Sequence, residues 1–146
     1  MKSFLLLLLI SVLVLFSCNT DSEKKAQAEK ESYQLTKENL LKKEQKNPVM
    51  FLKVNGGSRK NIIGQTVVSG TISNTATVAV YKDVLIQFSF YSKTKALLET
   101  DKETIFETLE PHESKKFKTK YFAPKGTDSV ALQILSAKAI PLHLAE

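Results

Sequence analysis

The segment Asp83-Val84-Leu85-Ile86-Gln87-Phe88-Ser89-Phe90-Tyr91 alternates with a period of two. Val84, Ile86, Phe88 and Phe90 project to one side of an extended chain, and Leu85, Gln87, Ser89 and Tyr91 to the other. A helix would scatter these side chains around its circumference, so the pattern specifies a strand with one face in a core. Each of the four inward side chains contributes about 1.5 to 3 kcal/mol on burial.

Strand signals recur on both sides of this segment. Upstream, residues 49–54 and about 65–73 carry β-branched and aromatic side chains, the first run ended by Asn55-Gly56-Gly57-Ser58 and the second by Asn74. Gly70, in the middle of the second, marks a close backbone approach or a bulge. Downstream, a turn at Lys93-Thr94-Lys95 leads to strands over 96–99 and 103–109, and a turn at Glu110-Pro111-His112 leads to 114–122. In that strand Phe117, Thr119 and Tyr121 oppose Lys116, Lys118 and Lys120. The last strand covers 129–140 and stops at Pro141. Seven or so short strands in roughly a hundred residues specify an all-β fold, an antiparallel immunoglobulin-like sandwich spanning residues 48–146. A domain of this size buries somewhat under two thirds of its unfolded surface.

Residues 19–47 have a different composition. They are mostly Lys, Glu, Gln, Ser and Thr, with Tyr33, Leu35, Leu40 and Leu41 as the only large apolar side chains, too few to offset the entropy of ordering the segment. Residues 30–46 favour a helix, with Glu38 and Lys42 spaced for pairing, and Pro48 ends it. Apolar heptad positions run out after one heptad, so the segment is a spacer rather than a coiled coil. It reaches roughly 40 Å as a helix and about twice that when extended. The net charge of +6 sits mostly in residues 48–146, too thinly spread for nucleic-acid recognition.

At the N-terminus, Lys2 precedes an apolar run from Phe4 to Phe16. As a helix that run is about 20 Å long, short of the roughly 30 Å core of a bilayer, so it reads as an export signal. Its end, Leu15-Phe16-Ser17-Cys18, resembles the lipobox of bacterial lipoproteins. That resemblance implies diacylglycerol on the Cys18 thiol, cleavage between Ser17 and Cys18, and acylation of the new amino group. Cys18 is the only cysteine, so no intramolecular disulfide is available to it. Two or three acyl chains, at about 0.8 kcal/mol per buried methylene, anchor a protein stably. The expected organisation is a signal peptide at 1–17, lipidated Cys18 and a partly helical polar tether at 18–47, and the sandwich at 48–146. The expected location is the bacterial cell envelope, anchored in a membrane through the acyl chains. Asn19, where some bacteria place an inner-membrane retention Asp, favours the outer membrane.

Within the sandwich, Gly70-Thr71-Ile72-Ser73-Asn74, Tyr81-Lys82-Asp83-Val84, Phe88-Ser89-Phe90-Tyr91-Ser92, Leu109-Glu110-Pro111-His112-Glu113-Ser114 and then Phe117 follow one another in order. This series resembles the successive signatures of FxLYD-type domains. The resemblance implies a small sandwich, frequent on exported proteins, with no enzymatic activity attached to it.

Candidate sites are few. Lys116, Lys118 and Lys120 share one face of a strand and offer a contact for an anionic surface such as a glycan, lipopolysaccharide phosphate or lipid headgroup. On an edge strand the same lysines discourage pairing with another chain. Glu99, Asp101 and Glu103 share parity but supply too few oxygens for calcium and read as solvated charge. His112 and His143 are far apart and lack cysteine partners, so no zinc site is expected. Gly56-Gly57-Ser58-Arg59-Lys60 lacks the spacing of a P-loop and reads as a loop. No Gly-x-Ser-x-Gly elbow and no free cysteine nucleophile occur. The expectation is a monomeric, non-catalytic interaction or accessory module without a cofactor, contacting an envelope protein or glycan and not nucleic acid. The alternative is a carrier for a lipid, sugar or metal.

Overall fold

The computed structural model describes residues 20–140. The signal segment, Ser17, Cys18 and Asn19, with Pro141 and His143 at the other end, lie outside the described residues. The chain runs through helix α1 (Thr20–Lys46), a 3-10 turn (Pro48–Phe51), and strands β1 (Leu52–Lys60), β2 (Thr66–Asn74), β3 (Val80–Ser92), β4 (Leu97–Ile105), β5 (Ser114–Tyr121) and β6 (Thr127–Ile140). α1 ends just before Pro48, with Lys43 and Lys46 in its last turn complementing the unpaired carbonyls. Among the described residues, 20–39 belong to one compact unit and a second begins at Leu40, inside the stretch read as tether. No helix among the described residues is long and apolar enough to cross a membrane.

Two antiparallel three-stranded sheets enclose the core: sheet A in the order β1-β2-β5 and sheet B in the order β4-β3-β6. Val84, Ile86, Phe88 and Phe90 on β3 are buried together with Val68 and Ile72 on β2 and Phe117 on β5. Phe88 meets Phe117 edge-on at 6.4 Å and the Tyr121 ring at 5.1 Å, which joins the two sheets through aromatic contacts.

Six strands occur among the described residues, not seven. The segments read as 96–99 and 103–109 merge into the single strand β4, which stops at Ile105 and leaves 106–109 outside it with Leu109 bridged to Tyr81; its middle residues, Thr100 to Lys102, are polar and exposed on an edge and so carry no hydrophobic alternation to read. Asn55-Gly56-Gly57-Ser58 is not a loop either. It lies inside β1, paired with residues 68–71 of β2, and the turn comes later at Asn61-Ile62-Ile63-Gly64. Pairing with a neighbouring strand overrides local turn composition here.

Gly70 is a close approach of chains. A Cβ there would lie 2.6 Å from the Asn55 carbonyl oxygen and 2.8 Å from the Phe117 ring, and Gly70 sits opposite Gly56 on one side and Phe117 on the other. Gly70→Ala is expected to cost about 2 kcal/mol through overpacking, read as a lower urea midpoint at unchanged slope. A second irregularity lies at Asp83, whose φ of 51° accompanies a register shift between Lys82 and Leu85. The extra residue lets Tyr81 and Val84, three positions apart, both point inward and become fully buried. Lys138 pairs with Asp83 at 2.9 Å across the bulge.

The end of the sandwich at Glu44 and Asn74 is closed by polar groups. The Asn74 side-chain amide donates to the carbonyls of Ala79, Leu109 and Glu110, and its oxygen accepts from the Ala76 N–H. Tyr81 and Leu109 exchange backbone hydrogen bonds, and the Tyr81 hydroxyl donates to the Glu44 carbonyl oxygen. The Glu44 carboxylate accepts from the N–H groups of Thr77, Val78 and Ala79. Asn74, Tyr81 and Leu109, each within a motif singled out in sequence, therefore meet as one structural lock.

Candidate functional site

Lys116, Lys118 and Lys120 are exposed on β5, an edge of sheet A, and point away from the core while Phe117 and Tyr121 point into it. Strand register then assembles a surface that sequence spacing leaves hidden. Directly opposed residues share a face, so the outer side of sheet A is built of four rows across β1, β2 and β5. They are Lys53-Ser73-Ser114, Asn55-Thr71-Lys116, Gly57-Ser69-Lys118 and Arg59-Val67-Lys120. Five of these positions are cationic and none is acidic. Lys53 joins the three lysines of β5 through the pairing of β1 with β2, and Arg59 joins them because β1 continues through the stretch read as a loop.

The geometry favours additive electrostatics. Alternate residues of a strand are about 7 Å apart, inside the roughly 8 Å screening length at physiological salt, so the lysine fields overlap. None of the five cations makes an ion pair among the described residues; Lys115, of opposite parity, takes the contacts to Glu107 and Glu113 at 3.6 and 3.8 Å. Edge protection alone does not require a single sign of charge. β4, an edge of the other sheet, carries Glu99, Asp101, Lys102 and Glu103 in mixture.

At the centre of the face lies a shallow depression of about 580 Å³, bordered by Asn55, Ser69, Thr71, Lys116 and Lys118. Gly56, Gly70 and Ser69, which carry little or no side chain, also line it. The combination offers hydroxyl and amide groups beside two ammonium groups, a chemistry suited to phosphate, sulfate or carboxylate oxygens.

The acidic set has a different fate from the solvated charge expected of it. Glu99 and Asp101 are exposed, but Glu103 is half-buried at the seam between sheets and accepts from the Thr119 hydroxyl at 2.7 Å and from the Tyr121 hydroxyl. Burial, then the Glu103 carboxylate, pushes the Tyr121 phenol above its ordinary range. Glu103 thus ties β4 to β5 and leaves the outer face of sheet A free of negative charge. His112 occupies the left-handed region, φ 62°, in the turn after Pro111, a conformational role. Among the described residues no three His, Cys, Asp or Glu side chains gather as a metal site.

No family model matches the chain. No curated protein matches it. Among solved structures the chain is similar to the Salmonella enterica trimeric lipoprotein SadB, at 13% identity and a TM-score of 0.41, over 91% of this chain and 86% of that one.

Proposed function

We propose that the chain is a lipid-anchored module of the bacterial cell envelope, non-catalytic, with an immunoglobulin-like sandwich whose outer sheet A face holds an anionic partner. The carboxylate-free face with Lys53, Arg59, Lys116, Lys118 and Lys120 is the observation that carries the reading. Ser17-Cys18 in its lipobox context supports the anchor, and the polar segment after it supports a spacer role. A carrier would need a concave interior, whereas Ile72, Ile86, Phe88 and Phe117 occupy the space between the sheets.

Retention on a dextran sulfate matrix tests the face. K116E/K118E is expected to elute at clearly lower salt than the unaltered protein, with at least a tenfold loss of affinity, since each basic residue near an anionic surface contributes about 1 kcal/mol. K82E/K102E, the same change of net charge outside this face, should elute almost unshifted. Equal losses in both pairs would reduce the interaction to overall charge and defeat the reading. For the anchor, fatty-acid labelling in cells should mark the protein and vanish in Cys18→Ala; labelling that persists in that variant would remove the anchor from the account.

A further inference from the structure

The two sheets end together, on the side away from Glu44 and Asn74, at three connections: Asn61–Gln65 between β1 and β2, Lys93–Ala96 between β3 and β4, and Phe122–Gly126 between β5 and β6. This end combines exposed apolar side chains with positive charge. Ile62 is fully exposed, Ile63 is 69% exposed and Phe122 84%. Exposed apolar side chains also occur elsewhere, Phe106 and Met50 among them, but at this tip three lie together beside cations.

The tip is also preorganised. Asn61 Oδ1 accepts from the N–H of Ile63 at 3.1 Å and of Gln65 at 2.9 Å, and Asn61 Nδ2 donates to the Gln65 side chain at 3.0 Å. Gly64, at φ 80°, completes the reversal. The turn therefore holds two isoleucines outward in a defined conformation. Phe122 follows Tyr121, which pairs with Thr66, and so lies beside the end of the same turn.

Beside these side chains is a depression of about 250 Å³ into which Arg59, Lys60 and Lys93 bring three cations, with the hydroxyl-bearing Thr66 and Thr127 and a single acid, Asp128. Arg59 also belongs to the last row of the cationic face, so the positive surface of sheet A runs into the tip without a break. A soluble polyanion would use the charges and leave the isoleucines and phenylalanine in water. A bilayer containing anionic lipid matches both parts: phosphates for the cations and the headgroup–acyl boundary for the apolar side chains.

We infer that this end of the sandwich docks on a bilayer containing anionic lipid, with Ile62, Ile63 and Phe122 entering the interface and Arg59, Lys60 and Lys93 meeting lipid phosphates. The inference rests on the reading of sheet A as an anion-binding face and names the partner as lipid.

The chain contains no tryptophan, so Phe122→Trp in the full-length lipoprotein is a single fluorescent reporter at the tip. The protein is anchored either in vesicles of brominated phosphatidylcholine with phosphatidylglycerol, or in plain phosphatidylcholine vesicles to which the brominated anionic vesicles are added. A blue shift with quenching is expected in at least one arrangement and should disappear when phosphatidylglycerol is omitted. Adding I62S/I63S to the reporter should weaken the response about tenfold or more. Emission that stays water-like in both arrangements, or a response that ignores I62S/I63S, overturns the inference. If retention on dextran sulfate persists in that case, the anionic-partner reading stands and the lipid assignment alone falls; if both are lost, the two fall together.

Discussion

Replacing Glu44 with alanine is expected to lower the unfolding free energy by about 4 kcal/mol. The side chain is only 2% exposed, and its carboxylate accepts three backbone N–H bonds from the β2–β3 connection, at 2.7 Å from Thr77, 3.0 Å from Val78 and 2.8 Å from Ala79. Alanine would leave the N–H groups of buried Ala79 and half-buried Val78 without a partner, each costing about 1 to 3 kcal/mol, while water takes the place of the carboxylate at exposed Thr77. For a domain of this size such a loss is a fall of roughly 20 °C in Tm, measurable by calorimetry. Near the C-terminal end of a helix a carboxylate is disfavoured by the helix dipole, so Glu44 has no local reason to be there. Its reason is the loop it caps.

The same contacts set a pH dependence. Burial alone would raise the Glu44 carboxyl, but the three N–H bonds together outweigh it and hold the group below its ordinary value of 4.5. A carboxyl lowered in the folded state stabilises the fold above the unfolded value, and that contribution drains away as pH falls below 4.5 through the folded value. Glu44→Gln keeps one acceptor oxygen and no titration. It should be destabilised less than Glu44→Ala and should lack this part of the acid-induced decline; a decline equal to that of the unaltered protein would assign the effect to other carboxylates.

Asn74→Ala is the second large effect, a loss of about 3 kcal/mol. The amide reaches the carbonyls of Ala79, Leu109 and Glu110 at 2.9, 3.0 and 3.0 Å and takes the Ala76 N–H at 2.8 Å, so one buried side chain satisfies groups from two separate connections. Asn74→Asp is the sharper test. It preserves size but sets a carboxylate oxygen against three carbonyl oxygens, so it should be at least as damaging as alanine near neutral pH and partly relieved by acid. An aspartate variant as stable as the unaltered protein would show that the amide does not hold this end together.

What could be read in advance follows from how local each signal is. The inward set Val84, Ile86, Phe88 and Phe90 was legible because period-two alternation on a central strand is written in consecutive residues. The outward lysines of β5 were legible for the same reason. β4 misleads because an exposed edge has no buried face to impose a pattern, and β1 misleads because Gly56 is demanded by Gly70 across the sheet and not by a turn. Lys53 and Arg59 could join the candidate site only through pairing with residues far along the chain, which no spacing rule supplies. Glu44 is hidden in a run of Lys and Glu, and only the three N–H groups of residues 77–79 distinguish it from its neighbours.

Resonance mapping of the isotope-labelled full-length protein against added dextran sulfate probes the positive face most directly. The largest shifts should fall on Lys53, Arg59, Lys116, Lys118 and Lys120 and fade with salt, while Gln87 and Gln133, paired on the other sheet, stay in place. Shifts spread evenly over both sheets, or none at all, would contradict the account.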